Sequence, residues 1–226
     1  MVDFDFAIFV KNLRMNNKIF KSDGISIQRL DALTDGIFAI AMTILVLAID
    51  IPTISRDMTG VKLHNAILGQ SDQLFAYGMS FILLALFWTI NHRQNVYLRK
   101  TNGLHIWINI FILGFICLVP YSTSLKSDFP LDWMADLYFN INMLIIALLF
   151  LINWSYATKN NRLTKDDFPA NLAKTGKIST LIFIMVTVIA SISSFIIPEQ
   201  SSYIYFLIPL LKFAQHKIES KSQNSY

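Results

Sequence analysis

Asp35 and Thr43 are the residues of this chain whose types and spacing suggest chemistry. They sit in the stretch Arg29–Pro52, RLDALTDGIFAIAMTILVLAIDIP, where a polar first turn runs straight into an apolar segment. A carboxylate and a hydroxyl on such a helix are tolerable in a bilayer only when they face protein or water. Counting from Asp35, Ile40, Thr43 and Leu47 fall at offsets that place them above one another on one helical face. Gly36, Ala39 and Asp50 lie on or beside that face. Several copies around an axis would stack rings of Ile, Thr and Leu. Apolar rings can gate a water-filled path by dewetting, and a hydroxyl ring can replace part of an ion's hydration. Plain packing accounts for apolar residues at this spacing equally well, and a helical Thr commonly bonds back to its own turn.

The elements that must position these residues are membrane helices. The chain has 226 residues, 54% hydrophobic and 15% charged, with mean hydropathy +0.48. A soluble domain carries about a quarter charged residues, so the composition predicts an all-α integral membrane protein. A span needs about 20 apolar residues. Six segments approach that: 30–50, 73–92, 104–125, 135–157, 178–197 and 202–215. The last is short and contains Pro209. One domain is expected: an amphipathic segment over 1–28, six helices over 29–216, and a tail over 217–226. Pro52 should close the first helix, Thr53–Asp72 should form a polar loop, and Pro120 should bend the third span.

Orientation follows from Lys and Arg. Sixteen fall in 1–29, 93–100, 159–177 and 212–226, whereas the opposite side holds only Arg56, Lys62 and Lys126. Both termini are therefore expected to be cytoplasmic, in a multi-pass protein of the cell membrane. The N-terminal apolar run follows Asp3 and Asp5 without a basic stretch before it, unlike a signal peptide. Lys11, Arg14, Lys18 and Lys21 suit anionic headgroups. The outer side carries Asp50, Asp57, Asp72, Asp128, Asp132, Asp136 and Glu199. These either concentrate cations or are simply what remains once bases are excluded.

Other polar residues read as structural. Asn109, Asn140, Asn142 and Asn153 lie inside spans and suit interhelical hydrogen bonding. Ser191, Ser193 and Ser194 suit close packing. Trp107, Trp133, Trp154, Tyr121 and Tyr156 suit interfacial belts, and Cys117 suits a packed core. His64, His105 and His216 lack metal-ligand spacing. Neither a metal nor a cofactor is expected, and nucleic acid is not an expected partner.

The first helix resembles that of the transmembrane protein 175 potassium-channel family, which opens on an R-x-x-x-F-S-D signature. Here it reads Arg29-Leu30-Asp31-Ala32-Leu33-Thr34-Asp35, with Leu33 for the Phe and Thr34 for the Ser. The family's Phe-Trp-x-x-x-His-Arg pattern stands at Phe87, Trp88, His92 and Arg93. The resemblance implies a homotetramer of six-helix subunits whose first helices line a central potassium-selective pore without a TVGYG loop. It further implies constriction at Ile40 and Leu47, a selectivity layer at Thr43, and a bracing network of Arg29, Thr34, Asp35, Trp88 and His92. The permeant species would be K+, and the partners would be identical subunits, lipids and monovalent cations. Independently, Arg29 and Asp35 stand almost two turns apart, so Asp35 needs a partner on another helix, for which His92 is at a suitable depth. Leu33 in place of Phe removes an aromatic plug beside that network.

Two other classes compete with this reading. A proton-coupled secondary transporter would use Asp35 and His92 as a titrating pair, but neither an inverted repeat nor a broken midplane helix is evident. An enzyme would need converging nucleophiles or acids, and Arg29, Asp35 and His92 form the only cluster.

Overall fold

In the computed structural model, residues 26–50, 60–165, 168–212 and 215 are described. The first helix, α1 (Ile27–Ile44), starts at Ser26, whose extended backbone and side-chain oxygen cap the Arg29 N–H. Its inward residues Leu30, Thr34, Phe38 and Ala41 recur at helical spacing, and the chain then tightens into a 3-10 turn, Leu45–Ala48. Leu45 and Ala48 continue the buried stripe. The helix expected to run to Pro52 is thus narrowed after Ile44, and Pro52 lies outside the described residues.

The region expected to be a polar loop before Asp72 contains a short helix, α2 (Val61–Leu68), with no buried residue. It leads directly into α3 (Ser71–Asn95). The third span is α4 (Gly103–Cys117) followed by α5 (Val119–Asp128), with Pro120 in the first turn of α5. The helix is interrupted at Leu118, and Pro120 occupies the start of the following helix, where it costs no intrahelical bond. Asp132 caps α6 (Trp133–Thr158), its carboxylate accepting the Met134 N–H at 2.8 Å. The last long helix, α7 (Ala170–Ser194), begins just after Pro169. Its first turns therefore include Lys174, inside the stretch expected to be a basic loop up to Lys177.

Among the described residues, five helices are long and apolar enough to cross a membrane: Ile27–Ala48, Ser71–Asn95, Gly103–Asp128, Trp133–Asn161 and Ala170–Ser194. The segment expected over 202–215 is not one of them. It enters as a 3-10 turn, Pro198–Phe206, and residues 207–212 are α-helical.

The core runs through the bundle. Phe87 of α3 stacks on Phe150 of α6 at 5.5 Å and meets Phe183 of α7 at 4.1 Å. Phe38, Leu45, Ile116, Met143 and Ile208 fill the layers around them. Helices α6 and α7 approach closely at Gly176, where a Cβ would stand 2.4 Å from Trp154 Nε1. That indole donates to the Ala173 carbonyl at 3.0 Å. Trp154 is thus a buried packing residue, against the interfacial role expected of it, because α7 supplies both a slot and an acceptor. Cys117 is exposed, contrary to the packed role expected, since the stripe Ile112, Leu113 and Ile116 takes the inward face of α4.

The intraspan asparagines behave as expected. Asn109 donates to Asn153 Oδ1 at 3.4 Å, Asn140 to Ser194 Oγ at 2.8 Å, and Asn142 to Ser122 Oγ at 3.4 Å. His105 is buried and bonded to Thr101 Oγ1 at 2.9 Å, a structural histidine.

Candidate functional site: the uncovered face of the first helix

Helix α1 buries one stripe and leaves the opposite one uncovered. Only 28% of its membrane-length window is buried. Gly36, Ala39, Ile40, Thr43 and Leu47 are all exposed, with Ile40 at 56% and Leu47 at 76%. The face picked out by spacing is therefore the face that the described residues leave uncovered. Leu47 belongs to the 3-10 turn, whose longer rise and three-residue period carry it further along the axis than an α-helix would. Thr43 donates its hydroxyl proton to the Ile40 carbonyl at 2.8 Å. A hydroxyl oxygen has two lone pairs, so this back-bond leaves Oγ1 able to accept from, or coordinate, a species on the open side.

Helix α1 is braced in two places. Midway along it, Trp88 Nε1 of α3 donates to Asp35 Oδ1 at 2.8 Å. His92 lies one turn on and stacks on the Trp88 ring at 5.7 Å with 21° between planes. Asp35 thus finds its partner on α3, as its isolation from Arg29 requires, but the partner is the indole rather than the imidazole. Thr34 is buried and donates to the Leu30 carbonyl at 2.9 Å, so its hydroxyl stays within its own helix. Arg29 is exposed and lines a groove of about 240 Å³ with Leu30, Leu33, Ile106 and Ile110. The network expected from five residues is therefore an Asp35–Trp88–His92 chain, with Arg29 and Thr34 beside it.

Beyond the end of the helix, the backbone of Asp50 is gripped by glutamines. Its N–H donates to Gln73 Oε1 at 3.2 Å, and its carbonyl accepts from Gln70 Nε2. The Asp50 side chain is left exposed where α1 ends.

Sequence reasoning missed two polar contacts. Asp31, one turn before Asp35, accepts from Asn95 Nδ2 at the end of α3. Lys126 and Asp136, counted as surface charges of one side, form a buried ion pair. The first had a legible signal, a carboxylate in the second turn of an apolar helix. The second had none, because only the α5–α6 turn brings the two together. Among the described residues no group of acids, His and Cys could hold a metal ion.

Long apolar helices around a shared core, with one polar-marked face left uncovered, define a helical membrane protein. The profile of the family described as "Endosomal/lysosomal potassium channel TMEM175" matches residues 29–120, which span α1 to the α4–α5 junction. A protein of Chamaesiphon minutus named Potassium channel Cha6605_3372 is 30% identical over 139 residues, covering 60% of this chain and 68% of that protein. The Gallus gallus protein named Endosomal/lysosomal proton channel TMEM175 is 32% identical over 117 residues, 49% of this chain and 23% of its own length. The crystal structure described as a lysosomal potassium-selective channel TMEM175 homolog from Chamaesiphon minutus superposes with TM-score 0.72 at 23% identity. It covers 84% of this chain and 97% of that one, and so shares the fold. The chain belongs to the TMEM175 family.

Proposed function

We propose that the chain is the subunit of a potassium-selective, cation-permeable channel and not an enzyme. Four copies surround an axis with the open faces of their α1 helices turned inward, and the segment 202–215 forms the sixth span of each. Both termini face the cytoplasm across the cell membrane, and 29–216 is the channel domain. Ile40 and Leu47 form the apolar constrictions, and Thr43 between them offers a hydroxyl layer to a partly dehydrated K+. The Asp50 carboxylates stand at the outer mouth and attract cations. Asp35, Trp88 and His92, flanked by Arg29 and Thr34, brace α1 against α3. The permeant ion is K+ without a cofactor, and the partners are identical subunits, lipids and monovalent cations.

The observation that carries this reading is the uncovered face of α1. A helix with Thr43 free on an unpartnered side is poorly matched to lipid alone, and four such faces supply one another with the missing polar environment. The relatives named as potassium channels supply the ion. Proton permeation is the second reading, favoured by the Gallus gallus relative's name, with Asp35 and His92 as its titratable groups. In its coupled form it makes the protein a proton-driven transporter. Flux from proteoliposomes under a potassium gradient, repeated with sodium and with protons, separates them. Potassium flux well above sodium flux supports the channel. Proton flux without passive potassium flux overturns it.

A further inference from the structure

Lys126, near the end of α5, and Asp136, in the first turn of α6, are almost completely buried. Asp136 Oδ1 receives the Lys126 ammonium. Its Oδ2 accepts the hydroxyls of Ser194 at the end of α7 and of Ser201 in the C-terminal 3-10 turn, with Asn140 Nδ2 at 3.4 Å. Asn140 Oδ1 in turn accepts the Tyr205 hydroxyl at 2.6 Å. Lys126 Nζ also lies 3.5 Å from Ser201 Oγ and 5.2 Å from the centre of the Phe139 ring, which Tyr205 meets edge-on at 5.9 Å. One carboxylate therefore ties together α5, α6, α7 and the C-terminal segment.

The last of these depends on the tie most. Helices α5, α6 and α7 belong to long apolar spans with their own core contacts. The segment from Pro198 does not reach span length among the described residues and opens as a 3-10 turn, a geometry with weaker internal bonds. Two of its buried polar side chains, Ser201 and Tyr205, reach into the Asp136 cluster, and among its described residues Ser202 and Ile208 are buried as well.

We propose that the Lys126–Asp136 pair is a charge latch that holds the C-terminal segment, residues 198–212, in the helix bundle, and that removing the Asp136 charge releases the segment. A buried ion pair gains little over apolar packing while intact, but loss of one partner leaves an uncompensated charge. Neutral Asp136 leaves Lys126 to draw in water and deprives the Ser194 and Ser201 hydroxyls of an ionic acceptor. The element that yields is the one that is not a long span of its own and that lends Ser201 and Tyr205 to the cluster. On the channel reading the latch also braces the outer mouth. Tyr203 and Phe206 of the segment rest on Phe75 at 4.8 and 5.8 Å, two residues from the Gln73 that grips Asp50.

Hydrogen exchange read by mass spectrometry on the full chain in detergent micelles tests the latch without reference to conduction. Asp136→Asn should speed exchange of the amides in 201–212 at least roughly tenfold, with 140–150 in the middle of α6 unchanged. Lys126→Arg, which keeps the charge, should stay close to wild type. Unchanged protection of 201–212 in Asp136→Asn overturns the proposal. If Asp136→Asn exchanges throughout, the double variant Ser201→Ala/Tyr205→Phe decides, since it strips only the segment's side of the latch. Faster exchange confined to 201–212 then supports the proposal, and none overturns it.

Discussion

Ile40 and Thr43 carry the most direct tests at the scale of single residues. Ile40 is exposed on a face the described residues leave open, so its replacement disturbs little inside the subunit and acts on whatever meets that face. Ile40→Asn should wet the constriction and raise potassium flux in proteoliposomes by roughly tenfold or more, the change that about 1.4 kcal/mol off a permeation barrier produces. Unchanged flux from a well-folded variant would remove the gate from that position. The Thr43 hydroxyl donates to Ile40 O and keeps its acceptor side free. Thr43→Ala should therefore lower the preference for potassium over sodium, read from reversal potentials, while leaving thermal stability nearly unchanged. A shift in stability with intact selectivity would make Thr43 a packing residue.

The junctions of whole elements raise different questions. The first helix is tied to α3 midway by Trp88 and Asp35, and beyond its end by Gln70, Gln73 and the Asp50 backbone. Trp88→Phe, which keeps the ring and removes the donor, should therefore destabilise the protein by roughly 1 kcal/mol. Thermal melting in detergent reads this, and an unchanged midpoint would show that the ring contact alone braces the helix. Trp88→Phe should also perturb His92, whose imidazole rests on that ring. The α6–α7 junction depends on the absence of a side chain at Gly176. Gly176→Ala would place its Cβ against the Trp154 indole, and overpacking of this kind is expected to lower stability by about 1–3 kcal/mol. A neutral or stabilised Gly176→Ala protein would mean that α7 shifts freely along α6.

For the whole molecule, the question is what covers the faces that one subunit leaves open. Leu33, Ile40 and Ile44 of α1 and Leu47 of the 3-10 turn are about as exposed as Phe111 of α4 and Met185 of α7. On α1 the Thr43 hydroxyl lies between such residues at helical spacing. A four-fold assembly turned on that face is expected to survive purification, and native mass spectrometry would read about four times the 25.9 kDa subunit mass. A stable monomer or dimer would refute the central pore. Much of this was legible in the chain itself. Apolar length and low charge dictate membrane helices because the bilayer leaves backbone groups no other partner. The periods that set Leu30, Thr34, Phe38 and Ala41 apart from Ile40 and Thr43 follow from helix geometry alone. The signature at Arg29–Asp35 and the Phe87–Arg93 pattern pointed to the family. What tertiary structure alone decided were encounters between distant segments. It chose Trp88 rather than His92 for Asp35, drew Lys126 and Asp136 inward, gave Trp154 an acceptor on α7, and turned Cys117 outward. Local pattern can state that a polar group needs a partner, but which partner it meets depends on how neighbouring helices bend and pack.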